Sequence, residues 1–200
     1  MPRPQEFDTE AVVAAVRDVF WDKGFEQTSV PELERVTGLN RSSLYNAFGS
    51  KRGLFDAAVQ DYLDRVVRPR LRILTGEPTS PDAAIRYYRS LSAALGALPD
   101  ELSSRGCLLL NSAAGFAAHD DTQRAVVDAY RSELAAALAH ALHVLDPSSS
   151  PAVLERRTRI LSALSISALL LSRVNRSEAV ALADAAIEQL GEWSRAAGQR

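Results

Sequence analysis

The chain has one cysteine, Cys107, so no disulfide closes within it, and a lone thiol fits a reducing compartment. Lysine is nearly absent: only Lys23 and Lys51 stand among the 23 basic residues. Net charge is close to neutral, −2, which excludes an indiscriminate cationic coat for nucleic acid. The longest apolar stretch runs from Ile160 to Leu171 and is interrupted by Ser162, Ser165 and Ser167, too short for the roughly 20 residues a membrane span needs. Met1 to Glu6 is polar and no apolar segment follows, so the expectation is a cytoplasmic protein with no export signal and no membrane partner. There is no Ser/His/Asp arrangement, paired His/carboxylate helix motif or Gly-rich phosphate loop. That argues against an all-helical enzyme; neither catalytic residues nor a cofactor are expected. His119 beside Asp120 and Asp121, and His140 one turn from His143, lack a full ligand set, so no metal is expected either. Asp120 reads instead as a helix cap.

What is present is helical periodicity. With 46% apolar residues over 200 positions there is material for a sizeable core, and no segment alternates at period two. The pattern predicts an all-α fold of about nine helices. The first covers about Asp8 to Lys23, with Val12, Val16, Val19 and Phe20 inward, Gly24 ending it and Phe25 folding back on its last turn. A long helix from Ser50 carries Leu54, Phe55, Ala58, Val59, Tyr62, Leu63 and Val66 inward until Pro69 kinks or interrupts it. Gly76 to Pro81 is a break, with Ser80 and Pro81 opening a helix that Pro99 stops near Leu98. After a short segment around Leu102 to Ala118, Asp120 opens an amphipathic helix on Val126, Tyr130, Leu134, Ala137, Leu138, Ala141 and Leu142. Beyond the Asp146 to Pro151 loop come two last helices, about Ala152 to Arg173 and Ser177 to Arg195. No internal repeat is visible.

Ser29 to Phe55 is the most informative stretch, because it reads as two short helices joined by a tight turn. Ser29 and Glu32 form a capping box, with the serine accepting from the Glu32 amide and the carboxylate reaching back to the Ser29 amide. Pro31 suits a first turn, Leu33 and Val36 share a face, and Gly38 fits a left-handed exit. Leu39 then turns inward and Asn40 caps the second helix. On that helix Leu44, Ala47 and Phe48 fall on one arc, with Ser42 and Asn46 opposite and Ser43 and Tyr45 flanking. Short polar groups suit a major groove: Asn bonds an adenine edge bidentately, Ser reads either partner and Arg41 reaches guanine or phosphate. From Arg35 to Arg72 eight basic residues face three acidic ones, a local balance of +5, while Asp18, Asp22 and Glu26 are placed on a face turned from DNA.

Thr28-Ser29-Val30, Thr37-Gly38-Leu39, Leu44-Tyr45 with Phe48, and Ser50-Lys51 with Leu54 together closely resemble the helix-turn-helix of TetR/AcrR-type transcriptional regulators. One departure is Ala47, where that family often carries His or Tyr. The resemblance implies that Thr28 or Ser29, Tyr45 and Lys51 contact phosphates and that Arg41, Ser42, Ser43 and Asn46 face bases. It also implies a helix-turn-helix domain over residues 1–52 and a helical effector-binding and dimerisation domain over 53–200. Function would be that of a regulator, more often a repressor, which binds a palindromic double-stranded operator as a homodimer and is released by a small-molecule effector.

The last two helices are apolar on more than one face, and the resemblance pairs them with their twofold mates. Tyr62, Tyr87, Tyr88, Cys107, Asn111, Ser112 and Phe116 are the candidate effector-pocket residues, apolar surface with a few polar handles. Arg105 to Asn111 resembles the Gly-Cys-Leu segment of a subgroup of these regulators, some of which sense electrophiles or oxidants. A thiolate at Cys107 beside Arg105 or Arg173 is therefore a second candidate sensor. Outside the regulator class stand an all-helical enzyme and an interaction protein that retains a helix-turn-helix without reading DNA.

Overall fold

Short polar side chains open most of the helices, each accepting from a backbone N–H that would otherwise lack a partner. Asp8, Ser29, Asn40, Ser50, Asp120, Ser150 and Asn175 all do so. The computed structural model describes residues 7–97, 105–113 and 115–199. Within them the order is α1 (Thr9–Gln27), α2 (Val30–Thr37), α3 (Arg41–Phe48), α4 (Lys51–Tyr62), a π-helical turn (Leu63–Val67), α5 (Arg68–Thr75), α6 (Ala83–Gly96), α7 (Leu108–Ala113), a short 3-10 turn (Phe116–Ala118), α8 (Asp121–Leu145), α9 (Pro151–Leu171) and α10 (Arg176–Gly198). Because α4 and α5 are continuous through the π turn, the described residues form nine helical rods and no strand.

The π turn is how the long rod accommodates Pro69. The Arg68 N–H reaches back to the Leu63 carbonyl, five residues earlier, and Pro69 then falls in the first turn of α5, where its missing donor costs little. Other boundaries differ from the sequence reading. In α1, Gly24 does break the helix as read, with φ +81° and ψ 170°, but a further helical turn follows it to Gln27. Asp82, not Ser80 or Pro81, precedes the first residue of α6, with the Ser80 carbonyl accepting from Ala83 N–H. That helix ends at Gly96; Leu98, Pro99 and Leu102 lie outside the described residues.

Helices α1 to α4 form a small head. Phe20, Leu33, Leu44, Leu54 and Phe55 make its core, each at most 1% exposed and worth about 1.5–3 kcal/mol of apolar burial. Phe25 does fold back on α1, its ring stacked on Phe20 at 6.2 Å, and it also stacks on Phe116 at 4.2 Å and meets Phe55 edge-on at 5.2 Å. This ring cluster joins the head to the larger half, so the packing runs across the 52/53 division. In the larger half α6 packs on α10, α8 on α9, and α9 on α10. The outer side of α9 and its following turn leave Ile160, Leu170 and Val174 exposed, the last at 84%. No helix among the described residues is long and apolar enough to cross a membrane.

Candidate nucleic-acid interface

The two helices of the reading motif are fixed at their starts by side chains. Ser29 Oγ accepts from the Glu32 N–H at 3.3 Å, and the Ser29 amide bears in turn on the Glu32 carboxylate. Glu32 also takes the Lys23 ammonium at 2.6 Å; that bond first, and the Ser29 amide with it, holds its carboxyl below the usual range. Gly38 leaves α2 at φ +69°, a left-handed conformation, and donates to the Glu34 carbonyl. The Glu34 carboxylate then accepts from the Arg41 N–H at 2.6 Å, while Asn40 Oδ1 accepts from the Ser43 N–H at 2.9 Å. Two amides of the first turn of α3 are thus satisfied by protein, which orients the helix before any ligand arrives.

Leu44 is fully buried and anchors α3 from behind. Arg41, Ser42 and Asn46 are exposed, Ser43 is half-buried beside them, and the Arg41 guanidinium lies over the half-buried Tyr45 ring, 5.0 Å from its centroid. Ala47 is exposed too, correcting its assignment to the inner arc: it lengthens the outward strip as a methyl group. Its side chain is small enough to sit in water at little cost, so hydropathy was a weak guide there. Thr28 also departs from expectation. It is 1% exposed and donates its hydroxyl to the Gly24 carbonyl at 2.7 Å, so its side chain is occupied inside the head while Ser29 remains exposed.

At the start of α4, Ser50 Oγ accepts from the Gly53 N–H at 3.1 Å and Lys51 Nζ sits 4.5 Å from the Phe25 ring centroid. Burial lowers the Lys51 pKa, and the Glu26 charge opposes that shift. Glu26 therefore stands near Lys51 and not on a remote face. The local excess of basic charge is narrower than its sum. Arg65 is held by Asp61 and Glu10, Arg68 by Asp64 and Glu133, and Arg52 by Asp56 and Asp120. Of the others, Arg41 stands on α3 itself, Arg35 on α2 and Lys51 at the start of α4.

The expected pocket residues separate. A cavity of about 410 Å³ lies between α1, α4, the π turn, α5, α6 and α9, and Trp21, Tyr62, Val66, Arg70, Arg105 and Leu169 are among its walls. Of the expected set only Tyr62 lines it, while Tyr87 lines a small adjoining space with Tyr62, Tyr130 and Arg70. Tyr88 is buried elsewhere, donating to the Leu161 carbonyl and bonded to Ser165 at 2.8 Å. Asn111 donates to the Arg105 carbonyl at 2.6 Å, and Ser112 donates to the Leu109 carbonyl. Phe116 belongs to the ring cluster, where Arg52 covers it at 4.9 Å. These four side chains serve packing and local hydrogen bonding instead of lining the cavity. Trp21, Arg70 and Leu169 were missed. The one available signal was a large aromatic, Trp21, on the flank of an otherwise amphipathic α1.

Cys107 is fully buried behind Tyr62. Burial pushes its thiol up, and hydrogen bonds with Tyr62, Tyr130 and the Leu109 and Leu110 amides oppose that shift. The arginines suggested as its activators are engaged elsewhere: Arg105 approaches Asp18 at 3.5 Å and Arg173 donates to the Asp22 carbonyl at 3.0 Å. Among the described residues no group of three or more His, Cys, Asp or Glu is placed to hold a metal; His140 bonds Thr79 at 2.8 Å.

Residues 12–58, α1 through the first turns of α4, match the family of bacterial regulatory proteins named for tetR. The chain is 37% identical over 123 residues to the HTH-type transcriptional regulator YezE of Bacillus subtilis, covering 60% of each. It is 31% identical over 110 residues to the HTH-type transcriptional repressor ComR of Escherichia coli, covering 55% of this chain and 51% of that protein. The matched stretch thus spans about half to three-fifths of these relatives' length. Over nearly the whole chain, 93%, the fold follows a cysteine variant of the TetR family regulator CifR complexed with 26-base-pair operator DNA, with TM-score 0.78, 26% identity and 98% of that chain covered.

Proposed function

Because the chain belongs to the tetR family of bacterial regulatory proteins, whose members among its relatives are transcriptional regulators and not enzymes, we propose that it is a ligand-responsive repressor that binds a near-palindromic DNA operator as a homodimer. The observation that carries this reading is the outward strip of α3: Arg41, Ser42, Asn46 and Ala47 exposed on a helix whose other side is closed by Leu44. Arg41, Ser42 and Asn46 face base edges, with Ser43 at their border, and Ser29, Tyr45 and Lys51 meet phosphates. Residues 1–52 act as the DNA-reading unit and 53–200 as the sensing and dimerising unit, in the cytoplasm where the DNA is.

Dimerisation uses α9 and α10. The exposed Ile160, Leu170 and Val174 supply an apolar face, and twofold pairing sets two α3 helices for half-sites about 34 Å apart or a multiple of it. The cavity holds the effector. Its occupant must prefer the DNA-incompetent state, and full switching needs about 5.5 kcal/mol of preference. Cys107 serves as packing and as a hydrogen-bond centre and not as the sensor, because a thiol that is fully buried and pushed up is a poor nucleophile. Selection of bound duplexes from a random pool tests the proposal: an enriched inverted repeat supports it, and no enrichment over the input pool defeats it.

A further inference from the structure

The cavity states the charge of what it takes. Among the described residues no Asp or Glu lines it, whereas two arginines, Arg70 and Arg105, do. Arg105 has a carboxylate nearby in Asp18 and lies over the Trp21 ring at 5.8 Å. Arg70 differs from its neighbours on the same rod. Arg65 and Arg68 are each held by carboxylates, but no hydrogen bond or ion pair engages Arg70 among the described residues. It is half-buried, lines both the main cavity and its small annex, and its charge reaches the phenols of Tyr62, Tyr87 and Tyr130. A guanidinium drawn partly out of water without a counter-charge is costly, and it favours whatever anion enters beside it. The remaining walls are apolar or aromatic: Trp21 and Tyr62 meet edge-on at 4.8 Å, with Leu91, Leu95 and Leu169 around them. At about 410 Å³ the space lies in the lower part of the range, about 300–1,000 Å³, that holds small organic ligands.

We propose that the effector is an organic monocarboxylate with an apolar or aromatic body, its carboxylate on Arg70 and its body against Trp21. This rests on the ligand-responsive reading given above and adds the ligand's chemical class. A cationic ligand would meet two like charges and no acid among the described residues, and a neutral one would leave Arg70 uncompensated. The site also indicates how occupation is transmitted. Trp21 lies on α1 of the head and donates its indole N–H to the Gly106 carbonyl, itself part of the cavity lining, at 3.0 Å. Arg70 lies three residues past the π turn on the rod that begins beside α3. One anion therefore bears on the head through both α1 and the α4–α5 rod.

The test uses the full chain with Trp193→Phe, leaving Trp21 as the sole indole reporter. Phenylacetate, phenylacetamide and phenethylamine, and octanoate, octanamide and octylamine, are titrated against Trp21 emission, with thermal shift as a second readout. Each is also titrated against the protein bound to its selected operator duplex. The carboxylates are expected to bind about tenfold or more tightly than their amides, and the amines weakest. Arg70→Gln should abolish the preference for acid over amide without weakening amide binding; Arg70→Lys should keep part of it. Amide or amine binding equal to that of the acid, or no binding by either acid, overturns the proposal. If acids bind selectively while operator affinity stays constant, the anion site stands and the ligand-responsive reading fails. If amides bind and release the operator, the reverse holds.

Discussion

Trp21 of the first helix and Gly106 of the larger half, 85 residues apart in sequence, are joined by one hydrogen bond, indole N–H to carbonyl, at 3.0 Å. Gly106 is tightly enclosed at φ +59°: a Cβ there would stand 3.0 Å from the Leu169 carbonyl oxygen. The bond thus ties α1 to a backbone position that α9 holds in place.

Trp21→Phe keeps the ring and removes the donor. The expected stability loss is about 0.5–1.5 kcal/mol, with operator affinity nearly unchanged when no effector is present. The response to effector should weaken. Thermal unfolding and operator titration with and without ligand check this, and an undiminished response would show that α1 carries no signal.

Base and phosphate contacts separate by their salt dependence. Asn46→Ala or Ser42→Ala should cost about 1–3 kcal/mol on the selected site and relax preference at one position. Lys51→Ala should weaken binding to all duplexes and lower the salt slope by about one. Binding isotherms at several salt concentrations on matched and substituted duplexes distinguish the two behaviours; identical profiles for Asn46→Ala and Lys51→Ala would refute the assignment.

Gly53 is required by close approach. A Cβ at that position would lie 1.9 Å from the Phe48 carbonyl oxygen, so Gly53→Ala must push α4 away from the end of α3. The expected cost is about 1–3 kcal/mol of stability together with reduced operator affinity. Circular dichroism melting beside operator titration measures both, and a variant with wild-type values in each would contradict this packing.

Burial pushes the Cys107 thiol up, so the folded chain keeps a proton that the unfolded chain gives up above its ordinary pKa of about 8.5. That contribution to stability is complete below about pH 8.5 and is lost as pH rises through the folded value, at no more than about 1.4 kcal/mol per pH unit. Tyr62 and Tyr130, also raised by burial, act in the same direction only above about pH 10. Cys107→Ser should therefore flatten the fall in melting temperature between about pH 8.5 and 9.5; parallel curves would remove the thiol from the balance.

Much of the architecture was legible because periodicity and caps are local. Ser29, Asn40, Ser50 and Asp120 accept where their positions suggested, and Gly38 turns left-handed after α2. The π turn was not, since a proline signals an interruption without saying whether the chain bends or widens. Pairwise outcomes were hidden as well. Glu32 meets Lys23 as well as its own cap, a contact set by how α1 lies across α2. The cavity was the least legible part, because its walls come from six helical elements and Arg70, one of its two charged members, looks in sequence like one more arginine in a basic run.

Half-site spacing tests the central claim most directly. Starting from the selected inverted repeat, the distance between half-sites is increased by five and by ten base pairs and dimer affinity is measured for each duplex. With two α3 edges fixed by one twofold axis, the five-base-pair insertion puts one half-site on the opposite side of the duplex and should abolish high-affinity binding. Equal affinity for the original and the five-base-pair duplex would contradict the account.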